Sequence, residues 1–326
     1  MTTATMTTAT MTTATMTIIG IDVSKAFLDC WAFPGDRAWR IGYTDAALAQ
    51  LAAELVPLQP TRIIVEATGG LERTLVAELS AAGLPVVVVN PRQVREFARA
   101  TGQLAKTDRL DAAILAQFGA MLHPAVRPQP DAAQRELQSL VARRRQLVAM
   151  QTQERNRRQQ VASELVVAQI DDHLALLGRQ VAQLDQDIAD RLRDHAAWRA
   201  RAQLLRSIPG VGPVLVSTLI AHLPELGQAS PKAIAALAGV APYNRDSGQW
   251  RGKRAVWGGR RQLRAMLYMA ALVASQHNPV IRSCYERLLA AGKAKKVALT
   301  ACMRKLLTIC NAIIKSNTPW HPAIAA

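Results

Sequence analysis

Two apolar runs, each closed by a carboxylate, restrict this chain more than any other feature: Ile18-Ile19-Gly20-Ile21-Asp22 and Arg62-Ile63-Ile64-Val65-Glu66. Short runs of branched residues without alternation belong to strands buried on both faces. Such strands need helices above and below them. Residues 28–33 and 39–43 predict two more strands, and Asp45 predicts the cap of a helix to about residue 56. After Glu66 a Thr-Gly-Gly turn leads to a helix over residues 71–82, stopped by Gly83 and followed by a strand over 86–89. Pro91 opens another helix, and Thr107 or Asp108 begins one that reaches about residue 122. The early strands can pair as an antiparallel meander, whereas the later ones need crossovers. The expectation for residues 17–125 is therefore an α/β layer fold.

Asp22 and Glu66 end their strands at the mouth where α/β folds place their sites. Asp108 and Asp111, spaced i, i+3 near a helix start, share one face. If that helix crosses the strand ends, four carboxylates converge. Converging acids repel, and burying them unpaired is costly. A hard divalent cation resolves the conflict, and oxygen-only ligands favour Mg²⁺ or Mn²⁺ over zinc. Two such ions about 3.5–4 Å apart can hold both the attacking and the leaving oxygen of a phosphodiester. Each acid also has a plainer reading: strand-end Asp is common, and an acidic pair at a helix start suits the dipole.

Residues 1–16 repeat MTTAT three times before Met16. This polar, low-complexity stretch is expected to be a disordered tail outside the fold, with Met16 a natural first residue. Pro124, Pro128 and Pro130 mark a boundary. Residues 126–200 then predict long helices. Leu174, Leu177, Val181, Leu184 and Ile188 recur at alternating spacings of three and four, a coiled-coil seam. Asp171-Asp172 reads as a cap between two helices. Periodicity leaves open whether the seam closes a hairpin or joins a dimer or tetramer.

Residues 201–326 predict an all-α domain, with helices after Pro213, over residues 231–238 and 260–275, and from 280 to about 316 with a break near Gly292. Residues 243–259 form a Gly- and Arg-rich loop. The net charge of +16 is concentrated here. Residues 1–130 hold 11 Lys/Arg against 11 Asp/Glu, residues 131–200 hold 11 against 10, and residues 201–326 hold 18 against 3. That asymmetry points to a polyanion partner; a basic surface kept for solubility is the plain alternative. Arg251, Lys253, Arg254, Arg260, Arg261, Arg264, Lys293, Lys295 and Lys296 are the expected phosphate contacts. Ile208-Pro209-Gly210-Val211-Gly212-Pro213 reads as a helix–hairpin–helix turn whose Gly210 and Gly212 offer backbone N–H groups to a phosphate. The same turn also serves as an ordinary helix connection. Trp250 and Trp257 suit base stacking or core packing equally well.

Ser247 stands between flexible residues and many cations. A serine is a weak nucleophile without a base or metal, so on its chemistry alone it is a turn residue. The six histidines show no zinc spacing, and four cysteines without CxxC spacing fit reduced thiols in a cytoplasmic protein. No charge-free apolar run reaches the roughly 18–20 residues of a membrane span, so no membrane partner is expected.

Gly-Ile-Asp22, Val-Glu66-Ala-Thr-Gly and Lys106-Thr107-Asp108-Arg109-Leu110-Asp111-Ala112 together resemble the DEDD set of the RuvC-like, ribonuclease-H-type fold. The wording is similar to DEDD-type insertion-sequence transposases, a branch that includes the Piv-like invertases and the bridge-RNA-guided recombinases. The resemblance spans residues 17 to about 318. It implies that Asp22, Glu66, Asp108 and Asp111 bind metal. It also implies that Ser247-Gly248, upstream of Gly258-Gly259-Arg260 and Leu267-Tyr268-Met269-Ala270, carries the nucleophile that joins covalently to DNA. It further implies a composite site, donor and target DNA as partners, and a structured guide RNA encoded by the element.

Three rivals stand beside a recombinase. A metal-dependent nuclease or junction resolvase would use water as nucleophile. An actin-like or sugar-kinase ATPase would need a glycine-rich phosphate loop after the first strand, where Val23-Ser24-Lys25-Ala26-Phe27 stands instead. A binding protein without catalysis would not need the acids.

Overall fold

The computed structural model describes residues 16–103 and 107–322, the side chains of Asp108 and Arg109 excepted. Residues 1–15 of the repeat, with Lys106 of the acidic motif, lie outside the described residues. The chain forms two compact units that divide between Gln129 and Pro130.

The first unit opens with β1 (Ile18–Val23), β2 (Phe27–Phe33) and β3 (Arg37–Gly42), followed by α1 (Asp45–Leu55) and β4 (Arg62–Glu66). It continues through α2 (Glu72–Ala81), β5 (Val86–Val89), α3 (Pro91–Ala100) and α4 (Asp108–Leu122). The sheet order is β3-β2-β1-β4-β5. The first three strands form the expected antiparallel meander, and β1-β4 and β4-β5 are parallel. Alternation along the strands divides the apolar residues between two cores. Ile19, Ile21, Ile63 and Val65 pack with Leu48, Leu51, Leu75 and Leu79 of α1 and α2. Ile18, Ile64, Val87 and Val89 pack with Val94, Ile114, Leu115 and Phe118 of α3 and α4. A mixed α/β sheet with helices on both faces fits the expected ribonuclease-H-like class.

Two local expectations are corrected. Thr44, not Asp45, caps α1, because its hydroxyl accepts from the Ala47 amide while Asp45 occupies the first turn. Met16, assigned to the tail, packs against the second of these cores.

The second unit holds α5 (Ala132–Arg158), α6 (Glu164–Asp194), α7 (Ala196–Arg206), α8 (Pro213–His222) and α9 (Pro231–Leu237). Four two-residue strands follow: β6 (Pro242–Tyr243), β7 (Asp246–Ser247), β8 (Trp250–Arg251) and β9 (Ala255–Val256). Helices α10 (Arg261–His277), α11 (Pro279–Ala290) and α12 (Lys295–Ser316) complete it. The unit is thus not all-α: the expected loop carries two small ladders, β6-β9 and β7-β8.

Helices α5 and α6 form an antiparallel hairpin. Arg158 pairs with Asp171 nearest the turn, Arg144 with Asp185 further out, and Glu136 with Arg191 beyond. The helix break falls at residues 159–163 rather than at Asp171-Asp172; Asp171 lies inside α6, where Arg158 pairs with it. Leu177 and Ile188 of the predicted seam are buried, and Leu174, Val181 and Leu184 are half-buried. Segment 126–200 does not stand apart from the last third. Leu137, Val141, Ile188 and Leu192 share one core with Leu205, Leu219, Leu267 and Leu306.

Helix α12 is, among the described residues, long and apolar enough to cross a membrane by length and composition. Its Cys302, Met303, Leu306, Leu307, Cys310 and Ile313 are buried in that core, as expected of a core helix. Lys295, Lys296, Arg304, Lys305 and Lys315 interrupt its sequence.

Candidate functional site

The first candidate site is built by one glycine. A Cβ on Gly20 would fall 2.1 Å from the Ala112 carbonyl oxygen, 2.5 Å from the Ala116 amide and 3.0 Å from Leu115 Cβ. Backbone therefore meets backbone, and α4 lies directly on β1. A Cβ on Gly119 would meet Ile64 and Ile18. Helix α4 thus runs antiparallel to β1, its start towards the strand's end. From Gly20 to Asp22 is about 6.6 Å at 3.3 Å per strand residue. At 1.5 Å per helix residue that is about four helical positions before the Gly20 contact, which falls between positions 108 and 111.

Asp22 and Glu66 each stand one residue past the last rung of the parallel pair, Ile21↔Val65. By alternation both share the sheet face of Ile18, Gly20 and Ile64, the face that α4 covers. Asp22, Glu66 and Asp111 are all half-buried. Asp108 begins α4 behind the Thr107 cap; its side chain lies outside the described residues. Asp22, Glu66 and Asp111 offer carboxylate oxygens, which suit a hard divalent cation. Among the described residues no three Asp, Glu, His or Cys side chains gather closely enough to hold a metal ion.

Two residues absent from the sequence reading belong to the same row. Asp22 faces Asp29 across β1-β2, and Asp29 faces Arg40 across β2-β3. Arg40 holds both Asp29 oxygens, each at 2.9 Å, and Asp29 is only 8% exposed. The signal in the sequence was an acid inside an apolar strand, Leu28-Asp29-Cys30, without an evident partner. Glu72, by contrast, is engaged locally: it accepts from Thr68 and Gly70 and fixes the turn after Glu66.

The second candidate site is the small-strand hairpin. Ser247 pairs with Trp250 and Asp246 with Arg251, and the Gly252 amide donates to the Arg245 carbonyl. One face thus carries Arg245, Ser247, Trp250 and Gly252, and the other carries Asp246 and Arg251. Gly248 has φ +55°, as required at the first loop position of a two-residue type II′ turn. Ser247 is exposed at the hairpin tip. Arg245 was missing from the expected contacts, although it precedes the serine by two residues, the spacing of one strand face.

The hairpin base is clamped to α9. A Cβ on Gly239 would sit 2.2 Å from the Gly258 carbonyl oxygen, and one on Gly259 2.1 Å from the Gly239 amide nitrogen. Arg264 donates to both the Gly239 and Gly258 carbonyls. Arg260 makes a two-pronged ion pair with Glu225, at 2.7 and 2.8 Å. Arg260 and Arg264 are thus structural in position, and Arg251 pairs with Asp246 across the far face at 3.4 Å. Lys253, Arg254, Arg261, Lys293, Lys295 and Lys296 are exposed. Trp250 and Trp257 are 61% and 66% exposed, so core packing is not their role.

The two glycines of the Ile208–Pro213 turn differ. Gly210, at φ +93°, lies against α10, where a Cβ would come within 2.6–2.8 Å of Ala274. Packing alone accounts for it. Gly212 caps α8 in open space and is exposed. Asn278, fully buried, donates to the Pro209 carbonyl and ties this turn to the start of α11.

Burial pushes the Cys30, Cys302 and Cys310 thiols up to about 12, with Asp29 adding to the effect at Cys30. All four cysteines are free.

Residues 19–166 match the DEDD family of IS110 type described as Transposase, and residues 202–286 match the Transposase IS116/IS110/IS902 family. The chain is 30% identical to the pilin gene-inverting protein of Moraxella bovis over 94% of its length and 98% of that protein. It is 30% identical over the same shares to the pilin gene-inverting protein of Moraxella lacunata. It is 26% identical to the insertion element IS900 uncharacterized 42 kDa protein of Mycobacterium paratuberculosis, over 93% of its length and 97% of that protein.

Proposed function

Because the chain belongs to the IS116/IS110/IS902 family of insertion-sequence transposases, enzymes that cut and rejoin DNA, we propose that its acids and its hairpin serine divide the reaction between them. The observation that carries this reading is the shared face of Asp22 and Glu66 beneath the start of α4, to which Asp111 belongs. With Asp108 they form the ligand set. Two Mg²⁺ or Mn²⁺ ions held there would supply charge stabilisation at the phosphate oxygens.

Ser247 is the nucleophile. Its Oγ loses a proton to water and bonds to phosphorus, and the deoxyribose oxygen on the far side of that phosphorus leaves, taking up a proton from water to become a hydroxyl. The DNA strand is then held as a phosphoserine ester. A deoxyribose hydroxyl of the partner strand attacks the same phosphorus, re-forms a phosphodiester and returns the serine. No bond energy is lost to hydrolysis, so rejoining needs no nucleotide cofactor. The exposed tip of the hairpin, outside any apolar core, suits a hydroxyl that must reach a bulky duplex.

The exposed basic residues of the second unit hold donor and target DNA. The same backbone recognition accommodates an RNA duplex, and we propose a structured guide RNA as the source of sequence choice. A dimer or tetramer brings two DNA partners together, and the site of action is the bacterial-type cytosol and nucleoid. The test is cleavage by purified protein in Mg²⁺, with any copurifying RNA sequenced and matching DNA supplied. Asp22→Asn and Glu66→Gln should bind DNA and fail to cut it. Ser247→Ala that still cuts, with no protein attached to the product, would establish the nuclease with water as nucleophile instead.

A further inference from the structure

The Ser247 hairpin carries an indole whose position is fixed by the backbone. Trp250 and Ser247 are direct cross-strand partners, so their Cβ atoms are about 5 Å apart on one face. Gly252, two residues on, lies on the same face. A Cβ there would come 2.6 Å from both Trp250 Cη2 and Cζ3. The indole thus folds down over Gly252, in space that any other residue would fill. One side is seated on backbone, yet Trp250 remains 61% exposed. An exposed tryptophan is costly in water, and this one is held in place beside the serine.

The charges around it select the occupant. Arg245 shares the face, and Lys253 and Arg254 follow the hairpin, all exposed. A flat aromatic surface among cations fits a nucleobase joined to its phosphates. We infer that Trp250 is the platform on which the DNA base next to the attacked phosphate stacks once it leaves its neighbours, with Arg245 holding that base's phosphate. This rests on Ser247 as the attacking residue, and it adds how the phosphate is placed before attack. A duplex base costs a few kcal/mol to unstack, and an aromatic face offsets that cost for any base.

The test uses the full chain carrying Ser247→Ala, so that the DNA stays intact, and two single-stranded probes. One is oligothymidylate, and the other has the same length with one central stretch of abasic sites. Trp250→Ala should weaken oligothymidylate binding roughly five- to hundred-fold, the range of one lost base stack. It should leave the abasic probe unchanged, and Trp250→Tyr should recover most of the loss. Equal losses on both probes would mean that Trp250 serves the backbone or the loop, and no loss would mean that it binds no base; either overturns the inference. A loss confined to an oligouridylate of the same length would assign the platform to RNA and overturn the DNA assignment. Cleavage that survives Ser247→Ala in a separate assay would refute the serine mechanism while leaving the stacking result to stand on its own.

Discussion

Gly20 and Ala112 are in backbone contact: no side chain fits between β1 and the first buried turn of α4. That contact sets the helix over the ends of β1 and β4, and it places the start of α4 beside Asp22 and Glu66. Gly20→Ala should therefore destabilise the first unit by about 3 kcal/mol, the upper end of overpacking costs, because both obstructing atoms are backbone. Gly42→Ala, in open space at the edge strand β3, should change stability by less than about 0.5 kcal/mol. Urea denaturation of the two variants checks this. Equal stabilities would mean that α4 moves freely on the sheet.

Asp29 and Arg40 extend the acidic row. Arg40→Ala removes the ion-pair partner of a nearly buried carboxylate that faces Asp22, and should cost about 3 kcal/mol or more. The double variant Asp29→Asn with Arg40→Gln should recover part of that loss, since no charge is then left buried. A double-mutant cycle that showed no coupling would remove the pair from the account.

Arg260 and Arg261 are adjacent in sequence and differ in role. Arg260 is engaged by Glu225, so Arg260→Ala should cost about 1.5–3 kcal/mol of stability in the second unit. Arg261→Ala should leave stability within about 0.5 kcal/mol and reduce the slope of log affinity against log salt by about one. Thermal melting and DNA binding at several salt concentrations separate the two. Reversed behaviour would put Arg260, not Arg261, on the DNA.

The buried thiols predict a pH dependence with a definite sign. The folded Cys30, Cys302 and Cys310 pKa values lie at about 12, above the value of 9.0 for a free thiol. Above pH 9 the unfolded chain loses these protons and the folded chain does not, so stability falls as pH rises from 9 towards 12. Below pH 9 the three thiols have no effect. A thiol reagent at neutral pH should label Cys284, which is half-buried, well before the other three. Early labelling of Cys310 would mean that α12 opens readily.

Much of the first unit was legible because its signals are local. The two acid-ended runs became β1 and β4 at the expected residues, and the direction of each pairing followed from the connections. The register that puts Asp22 beside Glu66 was implied, but the depth of α4 on the sheet was not. It depends on Gly20 and Gly119, whose meaning appears only when the helix and sheet meet. Asp29 and Arg40 escaped notice because eleven positions separate them and no motif joins them. In the second unit, a count of cations does not separate exposed side chains from engaged ones. Glu225, far away in sequence, engages Arg260, and the carbonyls of a glycine clasp engage Arg264. Four two-residue strands have too few residues to show alternation, so the region read as loop. Trp250 could not be assigned to core or surface until its 61% exposure was known.

The proposed reaction joins this chain covalently to DNA at Ser247. The most direct measurement incubates the purified protein, its copurifying RNA and Mg²⁺ with duplexes that match that RNA, quenches with denaturant, and digests the product for mass spectrometry. A nucleotide adduct is expected on the peptide containing Ser247, absent in chelator, in Asp22→Asn and in Ser247→Ala. Cut DNA with no adduct on any residue, or an adduct that persists in Ser247→Ala, would contradict it.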